Sequence, residues 1–182
     1  MKIATKTGDK GKTGRLFGSR VSKTDPVISA VGDIDELNAA LGLLKCEITN
    51  DVEYVDFLKE IQHKLTLLMG EVASEDDMRA EYVMKYDSLK SEDLESLDRR
   101  VTQLENMSVL DQQGWVLYGD SKKGSLCDFA SKVCRRAERS TLLVDENETT
   151  QLRDTLKKYL NRLSDFLHLL GRYFDYQQRS LN

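Results

Sequence analysis

The sequence predicts an all-α fold, a helical bundle behind a glycine-rich N-terminal strip. Three observations carry that prediction. Apolar residues recur at three- and four-residue spacing over most of the chain, which is the helical period. There is one proline, Pro26, among 182 residues, and it precedes the first long periodic segment. Helix interiors exclude proline, which lacks an N–H and clashes with the preceding turn. The third observation is that the glycine-rich leader lies ahead of any helical pattern. The length suits a single domain over 1–182, divided into a leader at 1–30 and a bundle at 31–178. There is no internal repeat or low-complexity tract.

Five helices are expected. The first runs from about Val31 to Glu47, with Ile34, Leu37, Leu41, Leu44 and Ile48 on its apolar face. Its acids Asp33, Asp35 and Glu36 suit the positive end of a helix dipole. The second spans about Val52 to Ser74 on Val55, Leu58, Ile61, Leu65, Leu68 and Val72. Glu75 to Asp87 reads as a mobile acidic connection. The third, Ser91 to Met107, has a narrow stripe of Leu94, Leu97, Val101 and Leu104, and Ser108 to Gly119 reads as an irregular crossing. The fourth runs from Lys122 to Val144 with Leu126, Phe129 and Val133 toward the core. The fifth runs from Glu148 to Gln177 with Leu152, Leu156, Leu163, Phe166, Leu167, Leu170 and Phe174 on one face.

Composition excludes several function classes. A formal net charge of -4 and a pI near 5.3 argue against nucleic acid and anionic membranes as partners. The longest apolar run, around Leu65 to Met69, is far short of a membrane span. The N-terminus lacks the apolar core of a signal peptide. Cys46, Cys127 and Cys134 are odd in number and contain no Cys-x-x-Cys pair, so neither a zinc site nor a disulfide framework is expected. A reducing cytoplasm is the expected compartment, and no protein-held metal site is expected.

Chemistry concentrates in two places. Thr5 to Gly14 holds three glycines, three threonines and three lysines. Glycines let successive N–H groups converge on an anion, and hydroxyls and ammonium groups around them suit a polyphosphate. The alternative is a frayed polar terminus. A Walker loop is excluded, because Lys6 stands where its first glycine belongs. The second place is a pair of polar stripes: Asp128, Lys132, Arg135 and Arg139 on the fourth helix, and Asn161, Asp165, His168 and Arg172 on the fifth. Such rows are ordinarily solvated faces. Three guanidiniums in Arg135-Arg136-Ala137-Glu138-Arg139, however, repel unless carboxylates or a bound anion compensate. Glu60-Ile61-Gln62-His63 has a di-iron spacing, but His63 lies opposite the apolar stripe of its helix and should face solvent.

Taken together, Thr5 to Thr13, Val31 to Gly42, Cys134 to Arg139 and Asn161 to Asp165 resemble the PduO type of ATP:cob(I)alamin adenosyltransferase, with the motifs in the family's order over nearly the whole chain. The resemblance implies a five-helix bundle of ferritin-like up-down arrangement, assembled as a homotrimer with sites between subunits. It implies transfer of the 5′-deoxyadenosyl group from ATP, carried with Mg²⁺, to the reduced cobalt of a corrinoid such as cob(I)alamin. A reductase or an adenosylcobalamin-dependent enzyme is the further partner implied. Carried over by motif, Thr5, Lys6, Thr7, Gly8, Asp9, Gly11, Lys12 and Thr13 wrap the triphosphate, with Lys23 adding charge. Arg135 holds phosphate oxygens with Arg139 nearby, Glu138 orients nucleotide or arginine groups, and Asn161 contacts the nucleotide end. Trp115 and Asp35 complete the set on the corrinoid side. Cob(I)alamin is itself a strong nucleophile, so no protein nucleophile is expected.

The corrinoid side departs from the family pattern. Trp115-Val116-Leu117-Tyr118-Gly119-Asp120 stands for Phe-x-Leu-Pro-Gly-Gly, and Asp128-Phe129-Ala130-Ser131 for His-x-x-Arg. In the family that arginine pairs across the subunit interface with the carboxylate at Asp35, leaving Lys132 or Arg136 as candidate substitutes. The departures define an alternative: a non-catalytic ATP-binding member, acting as a sensor or assembly module.

Overall fold

Pro26 opens the first helix instead of preceding it. The fold is that of a computed structural model, which describes residue 4 and residues 6–107, 117–147 and 152–180. Helix α1 spans Pro26–Glu47, and Asp25 caps it by accepting the Val27 N–H at 2.9 Å. Proline suits the first helical position, where its missing N–H has no intrahelical partner to lose. The helix therefore begins before the expected Val31. Its buried face is the predicted one, with Ile34, Leu37, Leu41 and Leu44 fully enclosed and Ile48 beside them.

Residues 48–51 turn the chain into α2, Val52–Ala73, which buries Leu58, Ile61, Leu65, Leu68 and Val72. The segment expected as a mobile acidic connection is instead a helix, α3, Asp76–Lys85. Its anchors are Tyr82, 8% exposed, and Arg79, 3% exposed. The Arg79 guanidinium donates to the carbonyls of Glu71 and Ser74 at the end of α2, groups that a helix C-terminus leaves unpaired. An acidic composition concealed one arginine with an internal task.

Helix α4, Ser91–Glu105, buries Leu97, Val101 and Leu104. The two longest helices follow, α5 at Lys122–Asn147 and α6 at Asp154–Ser180. Residues 148–151, expected at the start of the last helix, lie outside the described residues. Six helices are thus seen among the described residues, five long ones and α3. α5 packs between α1 and α6, α2 lies on α1 and α4 on α6. Across the core the Phe57 ring meets Phe166 edge-on at 5.4 Å. α6 keeps its predicted apolar face, Leu156, Leu163, Phe166, Leu167, Leu170 and Phe174.

The core face of α5 differs from the predicted one. Phe129 is 51% exposed, Leu126 is only partly buried, and of the three predicted residues Val133 alone is enclosed. The buried stripe is made of small residues, Cys127, Ala130, Cys134, Ala137 and Thr141. Small side chains let α5 sit close to both of its neighbours, while the larger Leu126 and Phe129 mark a face one residue, about 100°, away.

The leader is not wholly irregular. Lys12–Gly14 (β1) and Arg20–Ser22 (β2) form a short antiparallel hairpin pairing Lys12 with Ser22, Thr13 with Val21 and Gly14 with Arg20. No helix among the described residues is long and apolar enough to cross a membrane.

Candidate active site

The leader folds its polar residues around one turn. Gly11, at φ +73°, adopts a backbone conformation that favours glycine. Its N–H donates to the Gly8 carbonyl at 3.1 Å, and its carbonyl accepts from the Lys23 N–H at 2.9 Å. A Cβ on Gly8 would lie 3.1 Å from the Lys23 ammonium, so Lys23 reaches over the glycine turn. Arg20 donates to the carbonyls of Thr7 at 2.8 Å and Lys12 at 3.1 Å. The structure therefore gathers Lys6, Thr7, Gly8, Asp9, Gly11, Lys12, Thr13 and Lys23 into one cationic loop. Thr5 lies outside the described residues. Arg20 went unrecognised in the sequence, since its role depends on the hairpin register that sets it opposite Gly14.

The second half is a seam between antiparallel α5 and α6. Ser131 donates to the Ser164 carbonyl at 2.9 Å, and Asn161 donates to Glu138 at 3.0 Å. Along this seam, at the Ser131–Ser164 rung, opens a groove of about 310 Å³ lined by Tyr118, Ser131, Lys132, Arg135, Ser164, Asp165 and His168. No described residue of the leader is among them. Lys132 stands over the Tyr118 ring at 5.2 Å.

The three guanidiniums on α5 separate by environment. Arg136 turns to α1 and pairs with Glu36 and with Asp33, the latter at 3.2 Å. The hydrogen bond to Glu36 and that to Asp33 hold its pKa above the ordinary arginine value. Arg135 and Arg139 are exposed and have no carboxylate partner among the described residues. Asp35 is also exposed and has no cation among the described residues. Within one chain the candidate substitutes are engaged elsewhere: Arg136 binds Asp33 and Glu36, and Lys132 lies on Tyr118. Trp115 lies outside the described residues.

A buried ionic cluster underlies the groove. Arg172 lies between Asp128, with which it pairs, and Asp175, 3.0 Å away, and all three side chains are at most 7% exposed. Asp175 accepts from Ser121 Oγ at 2.6 Å, and His168 Nδ1 lies 3.3 Å from Asp128. The reading of Asp128 and Arg172 as members of solvated stripes is thus corrected. Gly124 is the enabling residue, since a Cβ there would fall 2.0 Å from Asp175 Oδ1. A glycine inside a helical pattern was the available signal. Burial drives the Cys127 and Cys134 thiols to raised pKa values. Among the described residues no three His, Cys, Asp or Glu side chains gather into a metal-binding group.

A family model described as cobalamin adenosyltransferase matches residues 3–174. The chain belongs to the cobalamin adenosyltransferase family. The corrinoid adenosyltransferase PduO of Citrobacter freundii is 37% identical over 183 residues, covering 100% of this chain and 52% of that protein. The chain therefore spans about half the length of that relative. The cobalamin adenosyltransferase of Cupriavidus metallidurans is 37% identical over 171 residues, 94% of this chain and 86% of its own length. Among solved structures, a variant PduO-type ATP:corrinoid adenosyltransferase from Lactobacillus reuteri, complexed with cobalamin and ATP, superposes with a TM-score of 0.86. Its identity is 28%, over 98% of this chain and 93% of that one.

Proposed function

We propose that this chain transfers the 5′-deoxyadenosyl group of ATP to the Co(I) centre of a corrinoid, in the cytoplasm. The cobalt electron pair forms the Co–C5′ bond while the C5′–O bond breaks, and that bond's electrons leave with triphosphate. Charge therefore grows on the leaving group, where fixed N–H groups, ammonium and guanidinium groups act most strongly. The leader loop, Lys6 to Thr13 with Thr5 and Lys23, holds the triphosphate and its accompanying Mg²⁺. Arg135 engages phosphate oxygens with Arg139 beside it, and the Glu138–Asn161 pair meets the nucleoside end. Trp115 and Asp35 serve the corrinoid side. Co(I) supplies its own nucleophilicity, so the protein's work is alignment and exclusion of water.

The observation that carries this reading is Arg135, a cation in the groove with no carboxylate partner among the described residues, about one turn from a preformed Glu138–Asn161 bond. The relatives named corrinoid adenosyltransferase favour catalysis over ATP binding alone. Assembly as a homotrimer with sites between subunits is part of the same proposal. Arg135→Ala tests the assignment. A charge-assisted hydrogen bond is worth about 1.5–3 kcal/mol, so ATP affinity should fall about ten- to a hundred-fold by calorimetry. The melting temperature should hold, because the side chain is exposed. Wild-type ATP affinity would overturn the assignment.

A further inference from the structure

The corner between α2 and α3 has no part in the reaction as described, yet the leader is fastened to it. We propose that this corner is the seat that positions the nucleotide-binding leader, with Phe17 and Tyr82 as its positioning residues. The inference rests on the reading of the leader as the triphosphate loop. Four contacts make the seat. Leu16 bridges to Ser74, donating its N–H to the Ala73 carbonyl at 3.2 Å. Arg15 Nη2 donates to the Ser74 carbonyl at 2.6 Å. The Phe17 ring meets Tyr82 edge-on at 6.4 Å, and Tyr82 packs on Tyr86 at 5.1 Å. Ser74 is itself held by its hydroxyl, which donates to the Gly70 carbonyl at 2.8 Å.

Two features show that the fit is specific. Phe17 sits at φ 72°, a left-handed conformation costly for a bulky residue. The hairpin accepts that cost while placing the ring on Tyr82. Gly70, for its part, leaves room for Tyr82, whose hydroxyl would lie 2.0 Å from a Cβ at that position. The seat is tied to the start of α6: Glu71, 1% exposed, binds Arg153, which also donates to the Leu89 carbonyl at 3.0 Å. The linkage runs from the start of α6 through the end of α2 to Arg15 and Leu16. Gly14 and Arg20 lie just beyond, and Arg20 grips the loop carbonyls of Thr7 and Lys12.

The test compares Phe17→Ala, Phe17→Gly, Tyr82→Leu and Lys12→Ala by steady-state kinetics and by amide exchange at Leu16 and Lys23. An aromatic pair is worth enough to predict a rise of about two- to ten-fold in the KM for ATP for both Phe17 variants and for Tyr82→Leu. Exchange at both amides should quicken, with kcat and the corrinoid KM unchanged. Phe17→Gly separates ring from backbone, since it relieves the left-handed strain while losing the contact. Wild-type ATP KM and exchange in Phe17→Gly and Tyr82→Leu, with Lys12→Ala impaired, would overturn the seat and leave the leader reading standing. Wild-type ATP KM in Lys12→Ala would overturn the leader reading, and the seat's link to ATP with it.

Discussion

Arg172→Met should be the most damaging single substitution near the groove. The guanidinium is 7% exposed and lies between Asp128 and Asp175, at 4% and 2%. Removing it leaves two carboxylates enclosed without a cation. Breaking a buried pair from one side typically costs about 3–5 kcal/mol, because the remaining charge keeps its desolvation penalty. For a chain of this length each kcal/mol lowers the melting temperature by about 2–4 °C, so the expected fall is about 6–20 °C. Circular dichroism at 222 nm, read through a thermal ramp, measures it. Neutralising the whole cluster, as Asp128→Asn, Arg172→Met and Asp175→Asn together, should recover most of the loss, since no uncompensated charge remains. That non-additivity is the signature of the cluster acting as a unit. A fall equivalent to less than about 1 kcal/mol in the single variant would refute the argument, because only an exposed or well-hydrated arginine costs so little.

Three further outcomes are expected. Ser131→Arg should raise corrinoid turnover by supplying a cation to the groove, while costing about 1–3 kcal/mol of stability through overpacking of a buried position; unchanged turnover would mean that Asp35 works without such a partner. Cys127 and Cys134, buried and raised in pKa, should resist a thiol-reactive dye at pH 8 until the protein is denatured, and fast labelling of either would contradict the packing of α5 on α6. Tyr54, pushed up to about 12 chiefly by burial, stays neutral in the folded state where an unfolded tyrosine ionises at 10.0. Protons therefore leave the unfolded state first, so stability should fall as pH rises from about 10 towards 12; chemical denaturation at pH 9 and 11 measures this, and equal stability would oppose it.

Much of the fold was legible because large apolar residues announce their faces. The stripes of α1, α2 and α6 were readable from leucine and isoleucine spacing alone. α5 was misread for the opposite reason: its buried face is cysteine, alanine and threonine, which carry little hydrophobic signal at any one position. α3 was missed because its acids dominate the composition, while its two anchors, Arg79 and Tyr82, act through contacts with the end of α2. In the site, Glu138 pairs with Asn161 and Lys23 reaches over Gly8, contacts among residues that the motifs single out. The partners of Arg136, the isolation of Asp35 and the burial of Asp128 depend on which helix lies opposite. No local pattern states that.

Under the proposed function, the seating of the leader at the α2–α3 corner, with Arg135 in a groove on the α5–α6 seam, has a genetic consequence. In a ring where each loop serves the neighbour's groove, two differently damaged chains can mend one another. Lys12→Ala and Arg135→Ala copies, each impaired alone, would regain activity on being unfolded and refolded together, because some junctions in the mixed rings would unite an undamaged loop with an undamaged groove. Two alleles of this kind in one cell would behave as partly healthy, and the dose of the product would follow the mixing ratio of the chains.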